Sequence, residues 1–315
     1  MRIKLLPILL VGLLTSCSTN NPVIENKVFC FDTYVESRLY EGEQANADEI
    51  KDILEYYDRV SDNYKKRPGV TITSIGEEKI VVEEKLYNLL KASSEVTSKG
   101  ATYFNPLCGS LSKAWKESLA KREVLSNEII TAELDKMNHT SLLLEDNYTV
   151  SKIGEGEIDL GGIVKGYAID EIKQYLNSKN IQKYLIIAGF SSILLGKKNT
   201  EDGLFTIKIN DLSDAYIKLK DCVISTSSKS VQGVKIDDIT YSHIVNPITG
   251  QAINENDAVI VVSDSGTLGD ALSTSMMMNT VDEIKEIEKT QNVKCIVIKE
   301  KKMIYCNSGL EVTHG

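Results

Sequence analysis

Apolar residues recur at three- and four-residue spacing through the first half of the chain. From Asn46 onward, Ile50, Ile53, Leu54, Tyr57 and Val60 share one helical face. Leu86, Leu89, Leu90 and Val96 mark a second helix, stopped by Gly100. Leu107, Leu111, Ala114, Trp115 and Leu119 mark a third, and Ser126 stands where it would cap a short fourth carrying Ile130, Leu134 and Met137. Ahead of these, residues 28–40 read as one extended strand.

From about residue 141 the pattern turns to short β-like runs. They fall at 141–144, 157–160, 183–188, 191–195, 204–210, 216–219, 222–226, 241–245, 258–263 and 294–299. Helices interrupt them at 163–178 and 268–279, the second continuing into an acidic-basic helix near 281–290. Strands and helices do not alternate regularly, so the pattern predicts an α+β fold, mixed β-sheets with flanking helices, over a doubly wound sheet. No internal repeat and no long Pro/Gly linker occurs. A helical first part and a strand-rich second part are compatible with two lobes that break near 140–156.

The N-terminus follows different rules. Arg2 and Lys4 precede a nearly continuous apolar run over residues 5–14. A bilayer span takes about 20 residues, whereas the apolar region of a signal peptide takes roughly 7–15. Leu14-Thr15-Ser16-Cys17 then resembles a bacterial lipobox, in which the cysteine is acylated and becomes the new N-terminus. The reading is a signal peptide over 1–16, a tether over 17–27, and a folded part over 28–315. It implies export and a lipid anchor at the membrane surface.

The composition, 42% hydrophobic with a net charge of −9, is that of a globular acidic protein. Loss of residues 1–16 removes two positive charges and no acid, which makes it more acidic still. With no basic stripe to reverse that charge, nucleic acid is not an expected partner. An anionic phosphate ligand would need local lysines or a metal. Besides Cys17 there are Cys30, Cys108, Cys222, Cys295 and Cys306, an odd number without CxxC spacing. That excludes a four-thiolate zinc site and argues against a disulfide framework.

Three segments carry the candidate chemistry. In Asp159-Leu160-Gly161-Gly162-Ile163-Val164-Lys165-Gly166-Tyr167-Ala168-Ile169-Asp170 a glycine pair leads into a helix. Its free amides suit an anion, and Lys165 adds charge one turn in. It matches neither a Walker loop nor GxGxxG, and a tight turn with a surface lysine fits as well. In Asp270-Ala271-Leu272-Ser273-Thr274 the i, i+4 spacing puts a carboxylate and a hydroxyl on one helical face. Hard oxygen donors of this kind suit Mg²⁺ rather than zinc, although a merely polar helix face gives the same pattern. In Tyr241-Ser242-His243-Ile244-Val245-Asn246-Pro247-Ile248-Thr249-Gly250, His243 stands beside a rigid turn, as a functional or a structural histidine could.

In this order the three segments resemble the ApbE family, the FAD:protein FMN transferases. Weaker echoes lie upstream. Phe31-Asp32-Thr33 stands where the family often has Met-Gly-Thr, and Tyr64 where it has a tyrosine after the first long helix. Phe104-Asn105-Pro106 with Gly109 and Trp115 is similar to its Phe-Asp-Pro…Gly…Trp stretch. The likeness spans nearly all of the chain beyond the signal segment. The departures are Phe31-Asp32 for Met-Gly, Asn105 for Asp, and Gly189-Phe190-Ser191-Ser192 for Gly-Gly-Asn/Asp.

The resemblance implies an ApbE-like fold and a Mg²⁺-dependent transfer of FMN from FAD to a Thr or Ser hydroxyl of an exported flavoprotein. That acceptor would be a subunit of a membrane redox complex or an extracellular reductase. Asp270, Thr274 and the carbonyls of Gly162 and Ser273 would hold Mg²⁺. Phe31, Tyr64, Tyr103, Phe104, Asn105, Asp159, Lys165 and Ile244 would line the FAD site, and His243 would act at the attacking hydroxyl. Rival readings are an FAD pyrophosphatase, giving FMN and AMP, and a flavin-binding lipoprotein without chemistry.

Overall fold

A computed structural model describes residues 23–315 other than Phe190, Gln232 and Asn254. The signal peptide, Cys17 and the first part of the tether lie outside the described residues, as does Phe190. The fold is α+β, as the sequence pattern predicts. Its centre is an eight-stranded antiparallel sheet in the order β1-β2-β6-β7-β10-β13-β14-β15. These strands are β1 (Ile24–Cys30), β2 (Thr33–Leu39), β6 (Tyr184–Ala188), β7 (Ser192–Leu195), β10 (Cys222–Ser228), β13 (Ala258–Ser263), β14 (Lys294–Lys299) and β15 (Lys302–Cys306).

Alternation along these strands feeds two cores. Ile186, Val259, Val261, Cys295 and Val297 face the larger core, which they share with the helices. Leu185, Ile260, Val262, Ile296 and Ile298 face a smaller one. It is closed by a three-stranded sheet of β8 (Phe205–Lys208), β9 (Ala215–Leu219) and β16 (Val312–His314). Covered on both faces, β13 has all six residues buried, which is why it reads as an unbroken apolar run.

The helical side is built as its spacing predicts. Helix α1 (Gln44–Ser61) buries Ala47, Ile50, Ile53, Leu54, Tyr57 and Val60, each large apolar side chain contributing about 1.5–3 kcal/mol. Helix α2 (Glu84–Glu95) passes into a 3₁₀ turn that ends at Gly100 with φ 91°. Helices α3 (Gly109–Ala120) and α4 (Asn127–Asn138) pack with Tyr241 and Val245 in a third core around Trp115, and Ser126 does cap α4. Helices α5 (Val164–Ser178) and α6 (Gly266–Met276) add Ile169, Ile172, Ala271 and Leu272 to the larger core.

Four expectations need correction. The strand over 28–40 is the hairpin β1–β2, turned at Phe31 and Asp32 with φ of 53° and 55°. Residues 157–160 form a loop with one isolated bridge, because Asp159 turns the chain through its own side chain. The run 241–245 is also a loop: β12 (Ile239–Tyr241) ends where it starts, and Ser242 Oγ accepts the Ile244 N–H at 3.0 Å. Helix α6 stops at Met276, and Thr280 and Glu283 form a capping box that opens a separate α7 (Val281–Gln291). The strands β3 (Ile80–Val81), β4 (Ser141–Glu145) and β5 (Thr149–Ile153) make a further small sheet, and β11 (Val234–Ile236) pairs with β12.

Candidate active site

The first and second motifs meet at one point. The Asp159 N–H donates to Pro106 O at 2.8 Å, and its Oδ1 accepts the Gly161 N–H at 2.8 Å. This Asx turn swings the Gly-Gly pair into α5, where the first-turn amides lack helical partners. One of them, the Gly166 N–H, donates to Asp270 Oδ2 at 2.6 Å. Glycine is required there because a Cβ would lie 2.0 Å from Gly266 O. One turn further, the Asp170 carboxylate accepts the Gly266 and Thr267 N–H groups at 2.6 and 2.9 Å and the hydroxyls of Ser265 and Thr267. Helix α5 thereby caps α6 and fixes its register.

Asp270 is buried beneath this crossing. Its Oδ1 accepts from Ser192 Oγ at 2.9 Å and from Ser225 Oγ at 2.6 Å. Sheet register makes that possible: Ser192 of β7 pairs directly with Ser225 of β10, so both hydroxyls leave the same face. Burial pushes the Asp270 carboxyl above its ordinary range, against the downward pull of Lys165 and the three donated hydrogen bonds. Among the described residues, no basic group lies within ion-pair distance of it. A buried carboxylate in this state favours a nearby cation.

Thr274 and Ser273 follow one turn along α6. Ser227 Oγ lies 3.0 Å from Ser273 Oγ and 3.2 Å from Thr274 Oγ1. A Cβ on Gly162 would sit 3.3 Å from Thr274 Oγ1 and 3.2 Å from the Phe104 ring, so the Gly-Gly turn passes directly over this face. Ser275 Oγ accepts the Tyr103 N–H at 3.0 Å, which ties the Tyr103–Asn105 stretch to the same helix. Phe104 and Asn105 also line a cleft of about 410 Å³, together with Pro247 and Ile248 of the third motif.

The third motif is held by α3. Trp115 Nε1 donates to Gly250 O at 2.7 Å, and its ring stacks on Tyr241. Ile244 is buried behind the turn. His243 remains open to solvent at its surface yet is ringed by protein. That partial desolvation, with Lys165 and Lys116 nearby, lowers its imidazole pKa to about 4. It is therefore neutral at physiological pH and able to accept a proton. Lys116 Nζ also sits 3.8 Å over the Tyr64 ring. Surrounding protein and then the charges of Asp159 and Asp32 push the Tyr64 hydroxyl pKa up, so Tyr64, Asp159 and the Phe31-Asp32 turn share one neighbourhood.

These contacts link the candidate residues. Asp270, Ser273, Thr274 and Gly162 form one oxygen-rich corner. Phe104 and Tyr103 adjoin it, and Lys165 lies within electrostatic reach of both Asp270 and His243. Asn105 turns its side chain inward to accept the Leu107 N–H at 2.9 Å. Among the described residues no three His, Cys, Asp or Glu side chains converge as a metal cluster. One carboxylate with hydroxyls and carbonyls is nonetheless a donor set that fits Mg²⁺, which takes one or two carboxylates and completes its shell with water and phosphate. The donors present fit that ion.

Residues 31–297 match the ApbE family. The chain belongs to the ApbE family. Its relatives include the FAD:protein FMN transferases of Klebsiella pneumoniae (strain 342), 23% identical over 86% of this chain and 87% of that one, and of Chlamydia muridarum (strain MoPn / Nigg), 23% identical over 93% and 96%. That of Treponema pallidum (strain Nichols) is 25% identical, over 64% of this chain and 61% of its own length. The fold is that of the ApbE protein of Thermotoga maritima, with a TM-score of 0.76 at 21% identity, covering 93% of this chain and 97% of that one.

Within this ApbE chain the structure adds residues that motif spacing did not single out. Ser192, Ser225 and Ser227 surround the acidic corner, and Lys116 faces Tyr64. The serines leave a faint sequence trace, since Ser192 precedes the apolar run Ile193–Leu195 and Ser225 and Ser227 follow the apolar run Cys222–Ile224. Lys116 leaves none.

Proposed function

We propose that this chain is a Mg²⁺-dependent FAD:protein FMN transferase that joins FMN to a Thr or Ser hydroxyl of an acceptor flavoprotein and releases AMP. The observation that carries the reading is the crossing of α5 and α6, where Asp270, Thr274 and Gly162 converge at the N-terminus of α5. A pyrophosphate bound there would meet the positive end of that helix, the Lys165 ammonium and a metal corner together. Asp270, Thr274 and the carbonyls of Gly162 and Ser273 would hold Mg²⁺, which when bound supplies charge neutralisation on the diphosphate.

In the reaction the acceptor oxygen bonds to the phosphorus of the FMN half. The bond from that phosphorus to the bridging oxygen breaks, and AMP departs with that oxygen. His243, neutral at working pH, takes the hydroxyl proton, as a weak base given its lowered pKa. Lys165 and the positive end of α5 orient the diphosphate. Phe31, Tyr64, Phe104 and Ile244 supply apolar and aromatic surface for the ring systems.

The sequence of residues 1–17 supports export and a lipid anchor at Cys17, which would hold the enzyme at the outer face of the cytoplasmic membrane or in a periplasm. The acceptors would then be exported flavin subunits of membrane redox complexes or extracellular reductases. The test is incubation with FAD, Mg²⁺ and a flavin-free acceptor, read by mass spectrometry. Covalent gain of FMN by the acceptor supports the reading. FMN and AMP formed without an acceptor would make it an FAD pyrophosphatase, and FAD binding without turnover would make it a flavin-binding lipoprotein.

A further inference from the structure

The β1–β2 turn is unusual for its sequence. Phe31 and Asp32 both occupy the left-handed region, at φ 53° and 55°. Two-residue turns of this type favour Asn, Asp or Gly at both places. A bulky aromatic held there is strained unless its surroundings fix it. What fixes it is Asp58 of α1, whose Oδ1 accepts the Phe31 N–H at 2.6 Å.

Asp58 is also the first link of a chain. Its Oδ2 lies 3.7 Å from the Arg67 guanidinium. Arg67 Nε donates to Asp62 Oδ2 at 2.8 Å. Asp62, at the end of α1, accepts the N–H groups of Tyr64 and Lys65 on its other oxygen at 2.9 and 3.0 Å. The links run unbroken from the backbone of Phe31 to the backbone of Tyr64.

We propose that Asp58, Arg67 and Asp62 form a clasp that positions Phe31 and Tyr64 as two walls of the flavin pocket. The clasp deepens the transferase reading and rests on it. Arg67 is a positioning residue: nothing places it against the substrate, and it acts through two carboxylates. Its guanidinium also feels the charges of Asp62, Asp58 and Asp32. Lysine cannot replace it fully, because one ammonium cannot reproduce the planar fork that reaches both carboxylates.

Arg67→Ala, Arg67→Lys and wild type are compared by titrating FAD and FMN, followed by flavin fluorescence, and ADP, followed by calorimetry, alongside unliganded urea denaturation. The clasp predicts at least a tenfold rise in Kd for both FAD and FMN with Arg67→Ala. It also predicts at least threefold recovery with Arg67→Lys and less than a twofold change for ADP, which lacks the flavin. FAD and FMN affinities within twofold of wild type would overturn it. So would equal losses for ADP and FMN, since those indicate general loosening. Should Arg67→Ala not fold, Arg67→Gln carries the same comparison. A wild-type protein that binds neither FAD nor FMN would remove the transferase reading and the clasp with it, a result distinct from an unaffected variant.

Discussion

Gly166 and Gly266 touch backbone to backbone: a Cβ on Gly166 would lie 2.0 Å from Gly266 O and 2.9 Å from the Asp270 carboxyl carbon. This contact lets two helices approach closely enough for an amide of one to reach a carboxylate of the other. Gly166→Ala should therefore force the helices apart and cost about 3 kcal/mol, the upper range for overpacking. It should also weaken Mg²⁺ binding, because the Gly166 N–H leaves Asp270. Urea denaturation with and without Mg²⁺ reads both effects, and a variant within about 0.5 kcal/mol of wild type, the usual range for a substitution that disturbs nothing, would contradict the packing argument.

Ser192→Ala and Ser225→Ala each remove one hydrogen bond to the same buried oxygen. Hydrogen bonds to charged groups contribute about 1.5–3 kcal/mol. Each change should cost stability of that order and lower Mg²⁺ affinity, read by isothermal calorimetry. The double variant should depart from additivity, because the two hydroxyls share one acceptor. Simple additivity would mean that the serines act independently of Asp270.

Much of this architecture is legible in the sequence, and the gaps have physical causes. Amphipathic spacing marks α1 through α4 because each buries one face. The hairpin turn is hidden because Phe31-Asp32 carries no Asn-Gly or Gly-Gly signal and depends on Asp58, 27 residues away. Strand β15 escapes because much of its surface stays exposed, Met303 and Ile304 included. At the site, i, i+4 spacing puts Asp270 and Thr274 on one helical face, and the family resemblance is what singles that face out. Ser192 and Ser225 do not, since their meeting depends on the order β6-β7-β10, which no local pattern encodes.

His243 gives a pH signature. Its pKa in the fold, about 4, lies below the ordinary value of 6.5, so the folded state favours the neutral ring. The stability this contributes is present above about pH 6.5 and lost as pH falls towards 4. The same shift predicts transfer activity without a base limb near pH 6.5, falling only as pH approaches 4. NMR titration of His243 and a rate profile from pH 4 to 8 check it. Lys165→Met should raise the pKa, because it removes a nearby positive charge, and a midpoint near 6.5 in the wild type would refute the argument.

Metal dependence separates the corner's chemistry from its packing. Asp270→Ala deletes the carboxylate but also strands three donors, from Ser192, Ser225 and Gly166, so a loss of stability alone says little about a metal. Thr274→Val is cleaner, because it keeps shape and removes the hydroxyl that faces Gly162. A ligand present at 100 times its Kd stabilises the fold by about 2.7 kcal/mol. Wild type should gain about that much from saturating Mg²⁺ with FAD and much less from FAD alone. Thr274→Val should keep its ligand-free Tm within a few degrees while losing most of the Mg²⁺-dependent gain. Asp270→Ala should lose all of it and turn over at no more than a thousandth of the wild-type rate, a deficit of about 4 kcal/mol in transition-state stabilisation. If both variants kept the full Mg²⁺-dependent gain, the cation would bind elsewhere, and the crossing of α5 and α6 would be a packing feature alone.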